Sequence, residues 1–477
     1  SYRLDHIAKV ELGEQKDGNP FDTFREWYIN DYQSFIEYNI NDVELVDKLE
    51  DKMKLLELCL TMAYEAKVNY MDVFSQVRMW DVTIYNYLRS KDIVVPQRDQ
   101  SNKGSRYEGA YVKDPQTGQH NWIMSFDLNS LYPHLIMQYN ISPETMIQQR
   151  FPEAISVNQL LNQEVNTEVL GDKLTVTPNN ACFRKDISGF LPELMDKMYG
   201  DRVKFKKYAL DASRRYEETT DEKYLKEISK YNNIQMARKI ALNSAYGAIG
   251  NQYFRYYNEK MATAITTSGQ LSIRWIANKV NDYPNGILQT TDEDYIIASD
   301  TDSIYVTFDE LVRKSFGERT DVPTERVIDF LDKIAKEKME PYIDKCYEEL
   351  AEYVKAYAQK MEMSREVIAD KGIWTAKKRY ILNAWDVEGV RYKTPQLKIM
   401  GIEAVKSSTP AVCRQKIKDA LNIIMTSNEK KLNAFIQDFR DEFMSLPPED
   451  IAYPRSVNGL KKFSSSNGMF AKGAPIH

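Results

Sequence analysis

The stretch Tyr295-Ile296-Ile297-Ala298-Ser299-Asp300-Thr301-Asp302-Ser303-Ile304-Tyr305-Val306-Thr307-Phe308 decides how this chain folds. Two apolar, β-branched and aromatic runs, 295–298 and 304–308, flank a short polar segment, which predicts a strand pair joined by a tight turn. Asp300 and Asp302, two apart in that turn, can converge on one hard cation. Mg2+ takes oxygen ligands from one or two protein carboxylates and leaves other positions to water and phosphate. Asp and Ser also favour turns for their own hydrogen bonding, so the turn alone leaves a purely structural reading open.

A second segment works with the first. Trp122-Ile123-Met124-Ser125-Phe126 reads as a buried strand ending at Asp127, followed by Leu128-Asn129-Ser130-Leu131-Tyr132-Pro133. An ionised carboxylate at the end of a buried strand is costly unless it is paired or binds metal. If the two strands are neighbours, Asp127 and Asp302 could hold two metal ions between them, the arrangement that stabilises both oxygens of an in-line phosphoryl displacement. An N-capping Asp and a core Tyr are the plainer alternatives, but they do not explain why both acidic motifs follow apolar strands.

The third piece is cationic. Arg202 and Lys206 are spaced i, i+4, and Lys239, Asn243 and Tyr246 or Gly247 share another helix face. Residues 191–218 and 222–250 read as an antiparallel helical hairpin around Thr219-Thr220-Asp221, with Asp221 as N-cap. Across such a hairpin the two faces could converge on a triphosphate, Arg binding oxygens bidentately and Lys acting as a point charge. Two solvated faces would be the bland reading. Gly247 and Gly250 beside Tyr246 argue against it, because glycine near a helix end suggests close approach of another group.

The rest of the chain bounds these motifs. Its 477 residues suffice for two to four domains, and 43% hydrophobic with 28% charged residues is an ordinary globular composition. No apolar run reaches the roughly 18 residues of a membrane span. Four well-separated cysteines (Cys59, Cys182, Cys346, Cys413) form no CxxC pair, which suggests a reducing compartment and no structural zinc. The net charge of −6 is segregated: residues 1–60 carry −7, residues 292–352 carry −10, and the remainder +11. Basic segments lie at 371–379, at 398–418 and in the last 23 residues, where phosphates would be tracked. Helices are predicted over 39–68 (Val43, Val46, Leu49, Met53, Leu56, Leu60) and 324–362 (Val327, Phe330, Leu331, Ile334, Met339), the second with a solvated acidic face. A polar linker is expected over 96–121, strands over 377–405, and a helix after Pro410.

In order, Asp127-Leu-Asn-Ser-Leu-Tyr-Pro133, Lys239-x3-Asn243-Ser-x-Tyr-Gly247 and Asp300-Thr-Asp-Ser303 resemble motifs A, B and C of the family B DNA polymerases. Lys377-Lys378-Arg379-Tyr380 resembles the family's primer-strand motif, and Tyr107-x-Gly109-Ala110 its element between exonuclease and polymerase regions. Phe254-Arg-Tyr-Tyr257, Ala262-Thr-Ala-Ile-Thr-Thr267, Leu397-Lys-Ile-Met-Gly401 and Lys406-Ser-Ser-Thr-Pro410 are similar to the replicative members of T-even-type tailed phages. Several ordered motifs together are specific where each alone is not.

The resemblance implies an α+β, right-hand polymerase fold with an antiparallel-sheet palm, helical-hairpin fingers and a partial thumb. It places the end of an exonuclease domain at 1–55, a helical connection at 56–98, palm at 99–188 and 252–401, fingers at 189–251 and the start of a thumb at 402–477. It implies DNA-templated DNA synthesis with two Mg2+ ions, for which Mn2+ can substitute. Asp127, Asp302 and the Leu128 carbonyl would hold the metals, with Asp300 a weaker carboxylate. Ser130, Leu131 and Tyr132 would meet the triphosphate and sugar, Tyr132 as steric gate against a 2′-hydroxyl. Arg202, Lys206 and Lys239 would hold the triphosphate, supported by Asn243. Lys378 would sit by the primer end, with Lys377, Arg379 and Tyr380 on primer-template DNA and Asp386 in the same block. Implied partners are primer-template DNA, dNTPs, a sliding clamp and further polymerase segments, without a membrane, in the cytoplasm of an infected bacterium.

Three points depart from the family pattern. Ser299 stands where Gly is usual, so the turn geometry is open, and the Arg202–Lys239 span is short, so stubbier fingers are expected. Tyr38-x3-Asp42 resembles the third exonuclease motif, with Asp42 a metal ligand of an exonuclease remnant, but no Asp-x-Glu pair precedes it. The chain is therefore expected not to proofread alone, and 3′→5′ digestion of a mismatched primer would contradict that. It reads as the middle of a larger protein, so an alternative is a split or truncated subunit inactive without companion segments. A metal-dependent nuclease around Asp42, Asp127 and Asp302 fits the cationic faces less well. A protein-primed polymerase would need an insertion between motifs A and B that is not seen.

Overall fold

The computed structural model describes residues 3–98, 107–147, 155–317, 322–406 and 408–453. Part of the expected linker (99–106) and the basic 454–477 segment lie outside the described residues. The chain divides into two compact units: Ser1–Gly109, Ser130–Ser268 and Ala351–Lys360 form the first, and Ala110–Asn129, Gly269–Leu350 and Met361–His477 the second. The strands are β1 Gly118–Leu128, β2 Leu174–Val176, β3 Cys182–Arg184, β4 Ile296–Asp300, β5 Ser303–Thr307, β6 Met363–Ala376, β7 Arg379–Val387 and β8 Val390–Met400.

The second unit is built on one antiparallel sheet of order β4-β5-β1-β6-β7-β8. The apolar runs that predicted strands are its centre. One core cluster gathers Ile123, Ile297, Tyr305, Val367, Trp374, Tyr380 and Leu382 from β1 and β4–β7. β1 slips register against β6 between Ser125 and Phe126, and there the Val367 N–H donates to the Ser125 hydroxyl oxygen (3.1 Å). A second cluster, with Ile381, Ile402, Leu421 and Met425, seats the Ala411–Thr426 helix, whose N-cap is Pro410.

An ionic network is buried in the same unit. Arg365 on β6 and Asp386 on β7 pair at 2.5 Å with side chains 4% and 3% exposed. Arg365 also reaches Asp332 (2.9 Å), and Arg391 holds the other Asp386 oxygen (3.2 Å). Burial would raise the Asp386 carboxyl, but the Arg365 and Arg391 guanidinium groups outweigh it and hold the group below the ordinary carboxylate range.

The first unit is mainly helical. Helices Phe190–Thr219 and Lys223–Ile249 pack along their length. Asp201 lies against Arg238 (3.5 Å) and the Phe205 and Tyr208 rings against Tyr231, so residue numbers rise on one helix as they fall on the other: the hairpin is antiparallel. Its base rests on the Leu55–Ala66 and Gln76–Arg89 helices, where the Trp80 Nε1–H donates to the Ala241 carbonyl (3.2 Å) and the Ser244 hydroxyl (3.0 Å).

Five expectations are corrected. The 39–68 helix is two helices, Tyr32–Met53 and Leu55–Ala66, because Lys54 takes a left-handed conformation (φ 53°). Its apolar stripe is largely surface, with Val43 63%, Val46 52% and Leu60 58% exposed, while Leu45 is buried. The 324–362 helix passes through a π-helical turn at Ala335–Met339 and ends at Tyr353. Pro341 has no N–H for the preceding turn, which accounts for the irregularity. Residues 363–376, unassigned by periodicity, form β6, and 118–121, expected as linker, begin β1. Asp221 accepts from the Lys223 N–H (3.0 Å) one position before the N-cap, Glu222.

Replacing Arg365 by Ala leaves the Asp386 carboxylate buried with less compensation, and should cost about 3–5 kcal/mol, measured by denaturant unfolding.

Candidate functional site: a half-buried carboxylate pair and a cationic hairpin

In the second unit, β1 and β5 pair with Asp127 opposite Ser303, so Asp302 falls in the two-residue turn beside the end of β1. The Leu128 N–H donates to the Asp302 carbonyl (2.8 Å), fixing the turn to the strand. Inside the turn the Asp302 N–H donates to the Asp300 carbonyl (2.7 Å), and Thr301 has φ 61° with its N–H on the Tyr111 carbonyl (3.0 Å). The left-handed residue is therefore Thr301. Ser299 is extended within β4, and its side chain is accommodated at 2% exposure, so this turn does not require glycine there.

Electrostatics single out the two inner carboxylates. Burial first, then the neighbouring charges of Asp302 and Glu366, push the Asp127 carboxyl up to about 7. Burial also raises Asp302, with Asp300 and Glu366 adding to it. Neither is ion-paired among the described residues, whereas Asp300 faces the Lys378 ammonium (3.1 Å). Two neighbouring half-buried carboxylates that repel one another are the donor set a divalent cation neutralises. Among the described residues no three His, Cys, Asp or Glu side chains gather into a fuller metal-binding group. A cation held by these two carboxylates would draw its remaining ligands from outside the described groups, as Mg2+ can.

Glu366 escaped the sequence reading because it lies at the start of β6, a strand periodicity did not assign. It accepts from the Ser125 hydroxyl (3.2 Å) and from the Lys398 ammonium (2.6 Å). The Lys377–Tyr380 block opens β7. Lys377 pairs with Asp114 (3.1 Å), and Arg379 with Glu403 (2.6 Å). Tyr380 differs from these: it is 7% exposed and its hydroxyl meets that of Tyr305 at 2.7 Å, so it packs inside the sheet's core cluster.

In the first unit, the Arg202 guanidinium donates to the Ser130 hydroxyl (3.3 Å), and Tyr132 packs its ring on Tyr246 (centroids 4.5 Å). Lys206, Lys239 and Asn243 are exposed. Arg202 and Lys239 each adjoin one partner of the Asp201–Arg238 contact across the hairpin. Both glycines are closely approached by other groups of the chain: a Cβ on Gly247 would come within 2.8 Å of Gln76 Oε1, and one on Gly250 would collide with the Tyr107 hydroxyl. That hydroxyl also meets the hydroxyl of Tyr246 (3.3 Å). Asp42, far along the chain, is ion-paired with Lys16 (2.6 Å), which also lies over the Tyr38 ring (4.8 Å).

Residues 75–318, about half of the chain, match DNA polymerase family B, and the chain belongs to that family. It is 37% identical to the DNA-directed DNA polymerase of Escherichia phage RB69, over 100% of this chain and 57% of that protein. It is 34% identical to the DNA-directed DNA polymerase of Enterobacteria phage T4, over 97% of this chain and 56% of that protein. A DNA polymerase of Paramecium bursaria Chlorella virus NY2A is 25% identical over 89% of the chain and 42% of its own length. The chain thus spans little more than half the length of its phage relatives. Among the described residues no helix is long and apolar enough to cross a membrane.

Lys378 is placed by its neighbour Gly401, which has φ 65° and whose Cβ would strike the Lys378 carbonyl. Gly389 has φ 83° with nothing within 4 Å of a Cβ. Gly389→Ala should therefore cost about 1–2 kcal/mol in unfolding free energy, and Gly401→Ala clearly more, because backbone must also move.

Proposed function

We propose that this chain carries the polymerising core of a DNA-templated DNA polymerase, joining dNTPs to a primer 3′-hydroxyl. The observation that carries the reading is the Asp127–Asp302 pair, two mutually repelling carboxylates held together by the β1–β5 register and, among the described residues, not ion-paired to any cationic side chain. Membership of family B and the likeness to the two phage DNA polymerases support it.

Asp127, Asp302 and the Leu128 carbonyl would hold two divalent cations, which when bound neutralise charge on the attacking and leaving oxygens of the phosphoryl transfer. The chain's own groups do the rest. Lys378 adds positive charge beside Asp300 and the primer end. Arg202, Lys206 and Lys239 meet the triphosphate, with Asn243 supporting that face. Ser130 and Leu131 present backbone to the nucleotide, and Tyr132, backed by Tyr246, occupies the space a ribose 2′-hydroxyl needs. Catalysis on this reading is positioning and charge neutralisation. In this assignment 99–188 and 252–401 make the palm, 189–251 the fingers and 402–477 enter the thumb, with 1–55 of exonuclease origin and 56–98 connecting.

With primer-template, dNTPs and Mg2+, the chain should extend the primer, and Asp302→Ala should slow extension at least about a hundredfold. Loss of Mn2+ binding in Asp302→Ala, followed by electron paramagnetic resonance without dNTP, should accompany it. Absence of extension by the unmodified chain, or primer shortening that depends on Asp302, would overturn the reading. For sugar choice, Tyr132→Ala should raise ribonucleotide incorporation by about tenfold or more; unchanged discrimination in single-nucleotide assays would remove Tyr132 as the gate.

A further inference from the structure

We propose that the helical hairpin Phe190–Thr219/Lys223–Ile249 carries a second nucleic-acid surface, on the side opposite its triphosphate face, that holds single-stranded DNA. The surface is a cluster of three aromatic rings ringed by lysines. Tyr208 and Tyr231 lie 5.4 Å apart across the hairpin, and Phe205 lies 5.9 Å and 6.1 Å from them. The Lys204 ammonium stands 5.8 Å over the Tyr208 ring and that of Lys230 stands 6.0 Å over Tyr231. Because the two tyrosines touch, the two lysines belong to one patch. Lys207 joins it, three residues from Lys204 on the same helix face.

Three features separate this patch from an ordinary solvated face. Tyr208 is 40% exposed, so an aromatic ring that could have been buried in the hairpin seam is offered at the surface. Lys204, Lys207 and Lys230 are exposed and none is ion-paired among the described residues. Nearby Arg214 and Lys223, by contrast, are neutralised by Asp211 (3.6 Å) and Asp221 (2.8 Å). The patch is also distinct from the triphosphate face. At 3.6 residues per turn, Arg202 and Lys206 lie about 160–200° round their helix from Lys204, and Lys239 lies about 180° round its helix from Lys230.

Unneutralised lysines attract a phosphate backbone, and exposed aromatic rings add stacking with unpaired bases, which every base can supply. Duplex DNA would satisfy the lysines only, since its bases are already stacked. The partner that uses both features is a single strand. The inference deepens the polymerase reading, which would supply such a strand as unpaired template. Its test needs neither metal nor dNTP, so its failure and the failure of catalysis are distinguishable.

The test is fluorescence anisotropy of a labelled oligo-dT with the full chain in EDTA, across a salt series, with circular dichroism confirming that each variant is folded. The triple variant Lys204→Glu, Lys207→Glu, Lys230→Glu should weaken binding and flatten the dependence of log affinity on log salt by about two units. Tyr208→Ala should weaken oligo-dT binding at least about fivefold while leaving duplex binding unchanged, and Tyr208→Phe, which keeps the ring, should bind like the unmodified chain. Unchanged binding by the triple variant overturns the proposal. So does an effect of the lysines without one of Tyr208→Ala, which would make the patch a general polyanion surface. Equal losses in Tyr208→Ala and Tyr208→Phe would likewise count against stacking.

Discussion

The second unit is organised around the cost of half-burying Asp127 and Asp302 beside one another. Carboxylates taken out of water in mutual proximity resist ionisation, and the raised Asp127 carboxyl records that resistance. The fold sustains the arrangement through the backbone rather than through counter-charges. The β1–β5 register, the Leu128 N–H on the Asp302 carbonyl and the left-handed Thr301 hold both groups whether or not their charge is satisfied. Positive side chains are placed one step away, Lys378 on Asp300 and Lys398 on Glu366, leaving the inner pair for a cation in the proposed reaction.

A different solution serves the buried Asp386, on β7 of the same sheet. Asp386 is surrounded by Arg365 and Arg391 and has a backbone N–H from Gly389, so its charge is stabilised within the chain. Burial pushes both carboxyls up, but guanidinium partners outweigh it at Asp386, whereas carboxylate neighbours add to it at Asp127. That contrast marks the first pair as a candidate site and Asp386 as part of the scaffold. In the first unit, small residues do similar positioning work: Ala237, Ala241 and Ala245 are buried on the Lys223–Ile249 helix, and Gly247 and Gly250 admit Gln76 and Tyr107.

Much of this was legible in advance where a local pattern has one structural outcome. The apolar runs around Asp300–Ser303 became β4 and β5, and the two long charged segments became an antiparallel hairpin. Legibility failed where tertiary context overrode the pattern. The left-handed Lys54 broke one predicted helix, Pro341 disturbed another, and β6 was missed although it joins both halves of its sheet. The stripe of Val43, Val46 and Leu60 has helical spacing but faces outward, because spacing specifies a helix and not what covers it.

The sequence by itself determined the chemistry on offer: acidic residues after apolar strands, cations at helical spacing, glycines where another group approaches, and ordered motifs that identify family B. Only the tertiary structure decided which of these groups meet. It brought Asp302 to the end of β1, added Glu366 from a strand with no motif of its own, and turned Tyr380 into the core. It left Lys204, Lys207 and Lys230, among the described residues, without an ion pair around an exposed ring. The reason is physical: residue type sets what a group can do, but its charge state and partners depend on burial and on neighbours far away in the chain.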